Sequence, residues 1–174
     1  MATYPIRLFG DPVLKQQSRE VAELDGELAG LIDAMYETMY ENLGVGLAAA
    51  QIGVLKRLFT YDVGDGPTAV INPEIVEAEG EVVFDEGCLS IPELRFEILR
   101  PQKITLRGVD LHGHEIVVED DEFLARAIQH EMDHLNGVLL LDRLDPADRK
   151  RALRALRNRD LVASVPVPGG APRL

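Results

Sequence analysis

One cysteine, Cys88, occurs in 174 residues, which excludes an internal disulfide and any disulfide framework as the source of stability. No run of 18 apolar residues is present, so no stretch reads as a transmembrane helix. Pro5, Arg7 and Asp11 interrupt residues 1–14 and leave no apolar core for a signal peptide. Cytoplasmic residence with no membrane partner is the expectation. Positive charge is scarce: 18 Lys and Arg stand against 30 Asp and Glu, a formal net charge of −12. That balance argues against DNA, or nucleic acid in general, as a nonspecific partner of the whole domain. The charge is unevenly spread. Glu74, Glu77, Glu79, Glu81, Asp85 and Glu86 fall in a stretch without a basic residue, and Arg149, Lys150, Arg151, Arg154, Arg157 and Arg159 in one without an acidic residue. Both read first as solvated faces, and the basic run also as a local docking patch.

What is present suffices for one domain. At 46% hydrophobic, the chain can bury a substantial core. There is no internal repeat. Residues 1–162 read as a single catalytic domain and 163–174, rich in Pro and Gly, as a disordered tail. Gly10-Asp11-Pro12 marks a turn in an extended arm over residues 1–22. Leu24, Leu28, Leu31, Met35 and Met39 recur at helical spacing and predict a helix over 24–39, closed by Asn42 and Gly44. Residues 54–61, 68–77 and 81–84 read as short strands with breaks at 64–67, Asn72-Pro73 and Glu79-Gly80. Ile104, Leu106 and Val109 with Ile116, Val117 and Val118 predict an antiparallel pair, and His112 and His114 fall in its turn. A helix opens near Asp120 or Asp121 and ends at Asn136-Gly137. Pro146 opens a last one, about 147–160. The fold class is α+β: antiparallel strands packed around a central helix, with one helix before and one after.

Gly44-Val45-Gly46-Leu47-Ala48-Ala49 formally matches a loose dinucleotide pattern, but the segment before it has helical period where that fingerprint needs a strand. It reads instead as a tight segment that lets the backbone approach something closely, with Gln51 as its one hydrogen-bonding side chain.

The central helix carries His130, Glu131 and His134 in the pattern H-E-x-x-H. One helical turn separates the histidines, so both imidazoles reach one metal ion. Glu131 lies roughly 100° round the axis, placed to hold and deprotonate a water on that ion. A catalytic site needs a third protein ligand. No glutamate of a thermolysin-like protease follows, nor the third histidine of a metzincin, which argues against an ordinary endopeptidase. Asp142 is one candidate. Cys88 is the better one: a thiolate is a strong ligand for a soft or borderline ion, and although Cys88 taken alone reads first as a small buried hydrophobe, the incomplete metal site reverses that reading.

Three segments together resemble peptide deformylases of the bacterial type: Gly44-Val45-Gly46-Leu47-Ala48-Ala49-Ala50-Gln51, Glu86-Gly87-Cys88-Leu89-Ser90 and Gln129-His130-Glu131-Met132-Asp133-His134-Leu135. The resemblance covers about residues 4–160. It implies an amidohydrolase that removes the N-formyl group from the N-terminal formylmethionine of nascent polypeptides and releases formate. It implies metal ligands at Cys88, His130 and His134, and Glu131 as general base and then acid. The Gln51 side chain and Leu89 amide would be the oxyanion donors. It also implies one divalent ion, Fe2+ in the cell, with Zn2+, Ni2+ or Co2+ as alternatives, and ribosome docking through the basic 149–159 helix. On this reading Gly44, Gly46 and Leu89 wall a groove for the peptide backbone. Asp133 orients a ligand histidine, unless it pairs with Arg100 or Arg143. A non-catalytic module that recognises formylated N-termini, and a zinc endopeptidase, are the other readings.

Overall fold

The computed structural model describes residues 3–161. The tail expected at 163–174 lies outside the described residues. Among the described residues, seven strands and four α-helices follow in the order α1 (Gly26–Glu41), β1 (Gly46–Ala48), β2 (Leu58–Tyr61), β3 (Thr68–Glu79), β4 (Val82–Cys88), β5 (Ile91–Arg100), β6 (Lys103–Val109), β7 (Glu115–Asp120), α2 (Phe123–Leu135), α3 (Leu140–Arg143) and α4 (Pro146–Leu161). Five strands form one antiparallel sheet in the order β1-β2-β3-β6-β7, and β4 and β5 form a separate antiparallel pair. No helix among the described residues is long and apolar enough to cross a membrane.

The first helix starts two residues later than its apolar spacing suggests, because Asp25 accepts a hydrogen bond from the Leu28 amide and fixes the start. Leu24 is therefore left outside and exposed, while Leu28, Ile32, Met35 and Met39 are buried against Leu47, Leu58 and Ile71. Asn42 closes the helix by donating to the Thr38 carbonyl.

Asn72-Pro73 does not end the third strand. Asn72 takes a left-handed φ of 50° and the register shifts there, so the strand bulges and continues to Glu79. The Asn72 side chain, turned outward by the bulge, bonds both backbone groups of Val21 and ties down the N-terminal arm. The β6–β7 pair is as expected. Asp110 Oδ1 accepts from the His112 and His114 amides in its exposed turn.

Three further elements depart from expectation, the first being β1, in which Gly46–Ala48 of the glycine-rich segment pairs with β2. Residues 91–100 form β5, for which the sequence suggests no strand. Pro92 obscures an alternation that places Phe96 and Ile98 against Leu140, Leu141 and Ala152. Leu140–Arg143 forms a single helical turn, α3.

In α2, Asp120 Oδ1 accepts from the Ala125 amide near the start, and the chain leaves through Gly137 at φ 70°. Ala125, Ile128, Met132 and Leu135 pack on Phe59, Val70, Ile104 and Leu106 of the large sheet. The polar residues of this helix are also buried: Arg126, Gln129, His130, Glu131, Asp133 and His134. So α2 has a sheet on its apolar side and a polar interior on the other, where β4 delivers Glu86 and Cys88 and β5 delivers Arg100.

Candidate metal centre

The ligand atoms of Cys88, His130 and His134 lie within 4.8 Å of one another, and all three residues are buried. Cys88 Sγ is 3.3 Å from His134 Nε2, which is 3.3 Å from His130 Nε2. The α-helix places the two imidazoles one turn apart. The β4–β5 pair brings the sulfur across: Cys88 is the last residue of β4 and pairs with Ile91, leaving Leu89 and Ser90 as the turn. Asp142 is not part of the cluster; its carboxylate takes Lys15 and the Leu139 amide instead.

His130 Nδ1 lies 3.1 Å from Glu86 Oε2, so the carboxylate accepts the Nδ1 proton and turns the Nε2 lone pair toward the cluster. Glu86 is fully buried, and sequence reasoning misses it because it closes a run of acidic residues that reads as a solvated face. The available signal is its place two residues before Cys88 on a strand, which puts both on one face. Arg100, also buried, clamps Glu86 through Nε and, at 2.8 Å, Nη2. Burial opposes both charges, yet Arg100 and then His130 hold the Glu86 carboxyl below its ordinary range. Such a pair is poor evidence for net stability, but deleting one partner strands a buried charge at a cost of roughly 3–5 kcal/mol.

Asp133 departs from its expected role. It contacts no ring nitrogen: its carboxylate accepts from Arg100 Nη1 at 3.0 Å and from both Nε and Nη2 of Arg143. It lies three residues from His130 on the helix face toward β5, so it reaches that histidine only through Arg100 and Glu86. Of the two arginine pairings that the sequence offers it, both are made.

Glu131 is fully buried, and neither carboxylate oxygen makes a hydrogen bond of ordinary geometry. Burial pushes its carboxyl up to about 7, against the pull of the His130 charge and the Ala48 amide. Gly46 lies directly against this carboxylate, and Gly44 against the Leu89 side chain. Gln51 Oε1 accepts from the Ala48 amide at 2.9 Å. Its Nε2 is thereby aimed at Ser90 Oγ, 3.3 Å away, and Cys88 Sγ, 3.9 Å away. The structure thus gathers Gly44, Gly46, Gln51, Cys88, Leu89, His130, Glu131 and His134 at one place.

This donor set fits a divalent ion. Two imidazole nitrogens and a sulfur converge at 3.3 Å, close enough to share a proton or, in its place, a metal cation. Burial lowers the affinity of both histidines for a proton. The Cys88 thiolate, then Glu86, then Glu131 overcome this for His130 and lift it to about 10, while its charge helps hold His134 well below the ordinary value. The negative groups therefore favour a cation here, and one thiolate with two imidazoles suits Zn2+ or Fe2+ with a coordination position left open.

The family model described as polypeptide deformylase matches residues 3–150. Peptide deformylase 1 of Clostridium acetobutylicum is 53% identical over 144 residues, 83% of this chain and 96% of that one. The crystal structure of a peptide deformylase from Legionella pneumophila superposes with a TM-score of 0.88 at 38% identity, covering 95% of this chain and 100% of that one. That of Ehrlichia chaffeensis peptide deformylase in complex with actinonin gives 0.87 at 37% identity, covering 92% and 99%.

Proposed function

The chain belongs to the polypeptide deformylase family, and from that premise we propose how its residues perform the reaction. The protein is a metal-dependent hydrolase that removes the N-formyl group from the formylmethionine at the start of nascent polypeptides and releases formate. Cys88, His130 and His134 hold the ion, which is Fe2+ in the cell. When bound, it acidifies a water and withdraws charge from the formyl carbonyl.

Glu131 accepts the proton of the water as its oxygen attacks the formyl carbon. A carboxyl lifted toward neutrality is suited both to accept that proton and to return it. Charge builds on the former carbonyl oxygen. The Gln51 Nε2–H and the Leu89 amide donate to it, and losing one such donor costs about 3 kcal/mol. The C–N bond then breaks, Glu131 passes its proton to the departing amine, and formate and a free N-terminal methionine leave. Gly44 and Gly46 keep Cβ atoms out of the groove, so an extended peptide lies against the β1 backbone and Leu89. The work is done in the cytoplasm by a single catalytic domain, residues 1–162. The exposed cations of α4 draw the enzyme to the ribosome.

The observation that carries this reading is the unpartnered Glu131 carboxylate beside three converging ligand atoms. Anaerobically metal-loaded Glu131→Gln is expected to keep its ion and lose turnover of formyl-Met-Ala by at least ~100-fold, followed as formate release. Near-normal turnover would refute the proton-shuttle role. Tight formyl-peptide binding without formate in the wild type would restore the binding-module reading, and internal peptide fragments the endopeptidase.

A further inference from the structure

We propose that Arg143, on α3, is a positioning residue for the metal site, acting on His130 through Asp133, Arg100 and Glu86. The inference rests on His130 being a metal ligand. The path is continuous. Arg143 grips both Asp133 oxygens, Asp133 Oδ2 accepts from Arg100 Nη1 at 3.0 Å, Arg100 clamps Glu86, and Glu86 Oε2 stands 3.1 Å from His130 Nδ1. The charges alternate along it.

Burial decides how such a chain behaves. The side chains of Glu86 and Arg100 are 0% and 1% exposed and that of Asp133 11%, whereas that of Arg143 is 37% exposed. Solvent screens only the outer end; inside, each charge depends on its neighbours. Arg100 stands between two carboxylates. With Arg143 neutralising Asp133, Arg100 keeps a two-point grip on Glu86 and gives Asp133 a single bond. Without Arg143, the Asp133 charge falls to Arg100 alone and draws it off Glu86. Glu86 is then free to turn, and with it the imidazole whose orientation and basicity it sets.

Two observations place Arg143 where it can act this way. Asp133 and Arg143 line a surface cleft of about 420 Å³ with Arg57, Gln129 and Met132, so the outer end is open to solvent. The neighbouring residue, Asp142, pairs with Lys15 of the N-terminal arm and Arg149 of α4, which holds α3 in place independently of the chain of charges.

The test uses the full chain loaded anaerobically with Co2+, whose visible absorption reports ligand geometry, and follows loss of the ion to excess chelator. Arg143→Met keeps the aliphatic stem and removes the charge. It is expected to shift the absorption and release Co2+ about 10-fold faster than wild type. Arg143→Lys should recover part of the loss. The double variant Asp133→Asn, Arg143→Met should release Co2+ more slowly than Arg143→Met alone, because no surplus carboxylate is left to compete for Arg100. Arg143→Met with wild-type spectrum and release rate would overturn the inference even if its melting temperature fell. A double variant as leaky as the single one would do the same. Wild type releasing Co2+ as fast as Cys88→Ala would instead refute the ligand assignment itself, and this inference with it.

Discussion

A methyl group added at residue 46 would collide with the Glu131 side chain, its carboxylate oxygen first. Both are buried, and Glu131 follows His130, a proposed metal ligand, on the central helix, so the carboxylate must swing away from its present position. A displacement of about 1 Å at a reacting group costs on the order of 100-fold in rate. Gly46→Ala is therefore expected to lower kcat on a formyl-Met peptide about 100-fold while still holding its ion. Metal content and circular dichroism distinguish this from misfolding. An alanine variant with unimpaired kcat would mean that the base does not need its present position. The same carboxylate explains why so much at this scale is legible in the sequence. Helical periodicity is local, and it places His130, Glu131 and His134 relative to one another without tertiary information. The Glu86–Arg100–Asp133–Arg143 chain has no comparable local signature. A buried carboxylate and a solvated one are the same letter, and only packing separates them.

At the scale of elements, α4 shows the same dependence. Its basic residues are plain in the sequence, but two of them, Arg149 and Arg151, already pair with Asp142 and Asp148. Lys150, Arg154 and Arg157 are exposed on the same helix. Replacing these three with Glu should weaken co-sedimentation with ribosomes and flatten its salt dependence, by about one unit of log–log slope for each phosphate no longer neutralised. Ribosome binding of unchanged strength and slope would remove α4 from the interface. The longer helices are legible because each buries one apolar stripe or carries a clear stop. β5 is not, since Pro92 near its start reads as a breaker, while the strand begins at the pair's edge where a missing amide donor is tolerated. The β3 bulge misleads for a related reason: Asn72-Pro73 has turn chemistry, and only the arm it bonds through Val21 reveals that the strand goes on.

At the scale of the whole molecule, one carboxylate joins distant parts of the chain. Asp142 takes Lys15 of the N-terminal arm, the Leu139 amide and Arg149 of α4. Burial works against its charge, yet Lys15, the amide and Arg149 hold the carboxyl below its ordinary value of 3.8. A folded-state value below the unfolded one gives stabilisation that is complete above about pH 4 and lost as pH falls through the folded value. Asp142→Asn should therefore lower the urea-unfolding free energy by a constant amount from pH 7 down to about pH 4, and the two proteins should converge below that. A difference that persists or grows under acid would show that the charge is not what joins these parts.

The ligand set also has a consequence in time. Cys88 precedes His130 by 42 positions, and Lys15 waits for Asp142, 127 positions later. A chain growing from its amino end has passed most of its length out of the tunnel before its centre can close. The cluster therefore forms late, only once His130 and His134 have joined Cys88.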